Sequence, residues 1–370
     1  MSGPGGPRSG ESEVVEAIAR LVPATLKALH TLEFAGRHLS PDALPELVEA
    51  MAGRDDEANA ALAESRKIDW PERLAAVRGC LEPAAEAAAQ GIAALRAAGE
   101  APQPIVAAYR AVRNYAKASE SLYPMAPFLK PVSQFFLEPA ARDDSALIER
   151  LAHVAGGEKV GVMHVGGPAG TRGAFSLYVP EYYDAATAYP LVVALHGGSG
   201  NGGAFLWSWL REARTRGIIL LAPTAIGATW SLMNPEEDGP SIDRMVEFVA
   251  GQWNIDAGRK LLTGMSDGGT FTYVLGLSAG CRFTHLAPIA AAFHPLLASS
   301  ADSERVKGLP VHIVHGAHDW MFPSQTAAMA ERVLQQAGAT VVFREIADLS
   351  HTYPRDENGP ILDWFLGATT

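Results

Sequence analysis

The segment Leu261-Leu262-Thr263-Gly264-Met265-Ser266-Asp267-Gly268-Gly269-Thr270 constrains this chain more than any other. An apolar, strand-like run breaks into Gly-Met-Ser-Asp-Gly, and a segment able to form a helix follows. A strand that turns directly into a helix through Gly-x-Ser-x-Gly holds its serine on a tight, strained elbow above the sheet. Gly264 and Gly268 must lack side chains, because strand and helix approach closely there. The turn also aims the first free N–H groups of the helix at any oxygen that becomes negative. Ser266 is therefore the candidate nucleophile.

A serine hydroxyl attacks only with an imidazole to take its proton and a carboxylate to orient that imidazole. On a strand–elbow–helix frame those partners follow in the order Ser, Asp or Glu, His. Leu309 to His315 reads as a buried strand, with Gly316-Ala317-His318-Asp319 as the loop at its end. Thr340 to Ile346 reads as a last strand, running into Ala347-Asp348-Leu349-Ser350-His351-Thr352-Tyr353-Pro354. Asp319 and His351 then lie past strand carboxyl ends, on the rim that carries Ser266 and where open α/β sheets bind ligands. Asp348 competes for the carboxylate role. It stands only three residues before His351 on one loop and reads better as a turn-forming or solvated residue.

Upstream, the strand Tyr189 to Leu195 leads into His196-Gly197-Gly198-Ser199-Gly200. A His-Gly-Gly run in this place supplies one oxyanion-hole N–H, the other coming from the residue after the nucleophile. The expected donors are Gly198, with Gly197 as its alternative, and Asp267. Removing one such donor costs about 3–4 kcal/mol of transition-state stabilisation. His196 reads as a packing or loop-bracing residue.

With these features in this order, the chain resembles the α/β-hydrolase superfamily. The stretch from Asn254 to Gly269 is similar to the phospholipase/carboxylesterase-like branch, which includes feruloyl esterases and polyhydroxybutyrate depolymerases. So are Leu195-His196-Gly197-Gly198, His315-Gly316-Ala317-His318-Asp319 and Ser350-His351-Thr352-Tyr353-Pro354. The resemblance covers about 160–370 and implies a serine esterase with a Ser266–His351–Asp319 triad, acting on a small-molecule or polymeric ester. It implies no cofactor and does not choose among acyl groups. A thioesterase, acyltransferase or peptidase would use the same side chains. A catalytically silent hydrolase fold used for binding would require none of them.

Trp320 and Met321 follow the acid and Trp230 lies in the loop Gly227 to Leu232; each is expected either to line the substrate pocket or to cap the core. His312, His315 and His318 form His-x-x-His-x-x-His. Residues three apart on a strand face opposite sides, so no metal is expected there.

The chain has 370 residues, enough for two domains, and 48% of them are hydrophobic, enough for a large core. A mean hydropathy of +0.05 comes with no uninterrupted apolar run of membrane-spanning length. Net charge is −11 and no basic cluster stands out, which argues against a nucleic-acid partner. Met1 to Gly10 lacks the hydrophobic core of a signal peptide and reads as a flexible leader. With Cys80 and Cys281 as the only cysteines, reduced thiols in a cytoplasm are the simpler expectation.

The texture changes near 157. From 11 to 157 the chain reads as an all-helical domain, with helices near 11–36, 41–52, 55–66, 71–97, 103–120 and 143–154 and kinks or splits at Pro23 and Pro83. From 158 to 370 strands are expected near 159–165, 173–180, 189–195, 217–222, 259–264, 285–291, 309–315 and 340–346. Helices near 203–215, 240–253, 267–278, 324–337 and 358–367 would wrap a mostly parallel sheet, with the first two strands as an antiparallel edge hairpin. The intervals 223–239 and 292–308 read as long loops over the Ser266 rim. The helical domain is expected to cap the active site, to form a surface for homo-oligomers, or to bind a separate partner; docking on the hydrolase domain is the favoured reading.

Overall fold

The structure is a computed structural model that describes residues 9–152 and 159–367. The chain divides into two compact units, Met1–Leu137 and Glu138–Thr370. That division falls earlier than the expected 157/158, because the helix Ser145–Ala152, helical in composition, is part of the second unit. Its Arg150 guanidinium sits 4.7 Å from the centre of the Tyr182 ring. Most of the expected leader lies outside the described residues, and Ser9 and Gly10 already open the first helix.

In the first unit, α1 (Ser9–His38), α2 (Leu44–Ala50), α3 (Asp56–Ser65), α4 (Ala75–Ala97), α5 (Pro104–Val112), α6 (Asn114–Leu122) and α7 (Lys130–Phe135) follow one another. α4 packs against α1, α3, α5 and α6. The alanine-rich sequence of α4 explains this, since Ala84, Ala85, Ala87, Ala88 and Ala89 are buried and let neighbouring helices approach closely. Neither Pro23 in α1 nor Pro83 in α4 ends its helix. An interior proline costs about 3 kcal/mol, which the buried faces around Leu21, Leu29, Leu81 and Ile92 offset.

The second unit opens with α8 (Ser145–Ala152), β1 (Gly161–Val165), β2 (Phe175–Val179) and β3 (Tyr189–Leu195). It continues through α9 (Gly202–Leu206), α10 (Leu210–Arg216), β4 (Ile219–Pro223), α11 (Asp238–Gln252), β5 (Ile255–Met265) and α12 (Asp267–Gly276). β6 (His285–Ile289), α13 (Pro295–Ser300), α14 (Ser303–Val306), β7 (Pro310–Gly316), α15 (Gln325–Gln336), β8 (Thr340–Ile346) and α16 (Asn358–Leu366) complete it. The strands form one sheet in the order β1-β2-β4-β3-β5-β6-β7-β8. β2 runs antiparallel to β1 and β4, and the remaining pairs are parallel. This is the α/β-hydrolase fold. β3 and β4 are buried along their whole length, as strands covered on both faces must be.

Two expectations need correction here. The helix expected at 203–215 is two helices, α9 and α10, and the interval 292–308 holds α13 and α14. The break after α9 is held from far along the chain, where Asn358 Nδ2 donates to the Ser208 carbonyl at 2.7 Å. The same amide donates to Glu212 Oε2 at 3.2 Å and accepts from Tyr353 Oη at 2.6 Å, tying α10 to the segment after His351.

Burial pushes the Glu212 carboxyl up to about 7, against 4.5 for an ordinary glutamate. The folded chain therefore holds this proton through a range where the unfolded chain has released it. That contribution is full below about pH 4.5 and is lost as pH rises through about 7. Glu212→Gln removes the dependence. Relative to the native protein it should gain up to about 3 kcal/mol more stability at pH 8 than at pH 4.5, read from denaturant midpoints. An identical difference at both pH values would refute this.

Candidate active site

β5 ends at Met265 and α12 starts at Asp267, leaving Ser266 alone on the turn with φ 57° and ψ −120°. A non-glycine residue at positive φ is strained, and the surroundings hold it. Ser266 N–H donates to the Ile289 carbonyl at 2.9 Å, and its own carbonyl accepts from Thr270 N–H at 2.8 Å. A Cβ at Gly264 would lie 2.4 Å from the Gly268 carbonyl oxygen, so the elbow closes only with glycine there.

Register brings the loops together. Leu195 on β3 pairs with Gly264 on β5, which sets His196 to Gly198 beside the elbow. Gly316 on β7 pairs with Ile346 on β8, so the loops holding Asp319 and His351 leave the sheet side by side. The result is a continuous chain of hydrogen-bonded groups. His351 Nε2 is 3.0 Å from Ser266 Oγ, and His351 Nδ1 is 2.8 Å from Asp319 Oδ2. All three residues are buried.

Asp319 Oδ1 accepts from Met321 N–H at 2.9 Å and Phe322 N–H at 2.8 Å. Burial opposes its charge, but hydrogen bonds from His315, His351 and the Phe322 N–H, with the charge of His351, hold the carboxyl far below the ordinary range. It therefore stays ionised beside the imidazole. Asp348, the competing carboxylate, is exposed at the surface.

Gly197 borders Ser266, since a Cβ there would come 3.5 Å from Ser266 Cβ. Ala225 N–H donates to His196 Nε2 at 3.1 Å, which leaves the proton on Nδ1, and Nδ1 donates to the Gly197 carbonyl at 2.7 Å. Gly200 N–H reaches that carbonyl at 3.0 Å. With its oxygen held twice, the Gly197–Gly198 peptide is locked, and so is the Gly198 N–H on its other side. A Cβ at Gly198 would lie 2.7 Å from Asp267 Oδ2, which itself accepts from Thr229 Oγ1 at 2.6 Å. Thr229 carries no motif, and nothing in the sequence marks it as a partner of Asp267.

The three aromatic and apolar candidates separate. Trp230 is 3% exposed, stacks on Phe271 at 5.5 Å and donates from Nε1 to the His196 carbonyl at 2.7 Å. These contacts make it a buried brace for the glycine loop. Trp320 and Met321 are 47% and 46% exposed beside the buried Asp319. Of the three spaced histidines, His312 packs edge-on against Trp364 at 5.2 Å, His315 turns to Asp319, and His318 is exposed. No helix among the described residues is long and apolar enough to cross a membrane.

No protein-family model matches the chain. A probable feruloyl esterase C of Aspergillus terreus is 34% identical over 116 residues, covering 30% of this chain and 43% of that protein. A probable feruloyl esterase C of Aspergillus clavatus is 27% identical over 186 residues, covering 48% of this chain and 64% of that one. The chain thus spans less than two thirds of these curated relatives. Among solved structures, a thermostable esterase aligns with a TM-score of 0.45 and 23% identity, over 52% of this chain and 58% of that one. By its strand order the second unit is an α/β-hydrolase fold, and the proteins it resembles in sequence are feruloyl esterases.

Proposed function

We propose that the chain is a serine hydrolase that cleaves carboxylic esters through an acyl-enzyme intermediate. The observation that carries this reading is the bonded line from Ser266 Oγ through His351 to Asp319, 3.0 and 2.8 Å in its two steps. His351 Nε2 takes the hydroxyl proton as Ser266 Oγ bonds to the ester carbonyl carbon. The carbonyl oxygen, now an anion, is received by the N–H groups of Gly198 and Asp267. Asp319 holds the imidazolium through Nδ1–H. His351 returns its proton to the leaving alcohol as the C–O bond breaks, then removes one from water to release the acid and free Ser266. Trp320 and Met321 are proposed to meet the acyl group. The feruloyl esterase relatives support an aromatic one.

A fluorophosphonate probe tests the chemistry without knowledge of the substrate. One molecule should attach per chain, and peptide mapping should find it on Ser266. Folded protein that stays unlabelled and releases no p-nitrophenol from its esters would end the proposal.

A further inference from the structure

We propose that His315 is a positioning residue for the triad: a second imidazole on Asp319 that fixes its carboxylate and moderates its pull on His351. The inference rests on the hydrolase reading above. His315 sits near the end of β7, fully buried, with Nε2 2.8 Å from the Phe322 carbonyl oxygen and 3.4 Å from Asp319 Oδ2. Both neighbours are acceptors, so Nε2 must carry the proton. Nδ1 is then the bare nitrogen, and it is buried with no partner among the described residues.

This brings a fourth N–H to Asp319, a longer 3.4 Å contact made by the same N–H that bonds the Phe322 carbonyl. An ionised carboxylate offers about four lone-pair directions. Met321 and Phe322 N–H groups take the two on Oδ1, while His351 and His315 share Oδ2. A carboxylate held on every side cannot swing away from the imidazole it orients. The same His315 N–H holds the Phe322 carbonyl, and the Phe322 ring stands edge-on to His351 at 5.3 Å. One side chain thus anchors both the carboxylate and the aromatic wall of the catalytic imidazole.

The electrostatic consequence has a definite sign. A donor on Oδ2 withdraws negative charge from the oxygen that His351 Nδ1–H meets. Without it, Oδ2 is more negative and the imidazolium of His351 is more stable. His351 would then keep its proton to higher pH, where it cannot act as a base. Its register partner on β8, Glu345, is exposed, and β6 brings apolar Ile289 and Ala290 to this level.

His315→Phe keeps a ring and loses the donor, whereas His315→Gln keeps an N–H. With the full chain and a p-nitrophenyl ester, His315→Phe should lower kcat by about tenfold or more, the scale of a small misplacement of a reacting group, with KM little changed. The acid limb of its kcat/KM profile should move to higher pH, and His315→Gln should restore most of both effects. Folded variants that match the native limb and kcat would overturn the proposal. So would a limb left in place while kcat falls, since a purely structural role predicts that. Should both variants fail to fold, nitrogen NMR of the native protein decides: His315 protonated on Nε2 supports the assignment, and protonation on Nδ1 refutes it. That measurement is independent of turnover, so native protein inactive on esters would refute the hydrolase reading separately.

Discussion

Ser266→Ala is expected to lower kcat for ester hydrolysis by about 10⁴–10⁶-fold while leaving the fold intact. Alanine keeps the Cβ, so the strain of the turn at φ 57° is unchanged and α12 still starts at Asp267. Only the hydroxyl is lost, and with it the atom that His351 Nε2 meets at 3.0 Å. On the proposed mechanism the oxyanion donors survive, able to polarise a bound ester towards water; such a remnant exceeds the uncatalysed rate by about 10³–10⁴. Initial rates with p-nitrophenyl esters of graded chain length, with circular dichroism as the check on folding, measure the loss. Turnover within tenfold of the native protein would remove Ser266 from the proposed mechanism.

The second large effect is expected from one added methyl group. A Cβ at Gly268 would lie 2.3 Å from the Leu195 carbonyl oxygen and 2.5 Å from that of His196. Both are backbone atoms of the β3 exit, so relief requires parting α12 from β3. Overpacking of this kind costs about 3 kcal/mol or more where nothing can yield. In a unit of this size that corresponds to a fall in Tm of roughly 6–12 °C. The same displacement moves His196 to Gly198 away from Ser266. Losing one oxyanion donor lowers kcat by about 10²–10³-fold, so stability and activity should fall together in Gly268→Ala. Gly251→Ala is the control. Nothing lies within 4 Å of a Cβ there, and alanine in helix α11 should stabilise by up to about 1 kcal/mol. Calorimetric melts that place Gly268→Ala within 2 °C of the native protein would show that the elbow is looser than drawn.

Local chemistry explains why so much of the second unit was legible. The elbow glycines, the His-Gly-Gly loop and the apolar strand runs are each specified by neighbours a few residues away. Their periods survive whatever packs on them. All eight strands appear within a few residues of the expected ranges, and the first two pair antiparallel at the sheet edge. α13 and α14 also carry local signals. His294 caps α13 before Pro295, and Asp302 caps α14 by accepting from Arg305 N–H at 2.7 Å. With six and four residues, each is too short to show a helical period of its own.

Other features had no local signature. Trp230 reads equally well as pocket or core until Phe271 and the His196 carbonyl are placed around it. The break between α9 and α10 depends on an amide at Asn358, and Thr229 meets Asp267 only across the sheet. α8 has the periodicity of the helices before it yet folds with the strands after it. Helical spacing reports that a face will be buried, not what will bury it.

The amino-acid sequence by itself determined the sheet, the elbow and the rim on which Ser266, Asp319 and His351 stand. These follow from backbone sterics and hydrophobic period, which act over a few residues. Tertiary structure alone decided the 2.8 and 3.4 Å contacts that put two imidazoles on one carboxylate, and the peptide locked at Gly197 by His196. Such contacts join residues from separate strands and loops. Their energies depend on distance and burial, quantities that exist only once the chain has closed around them.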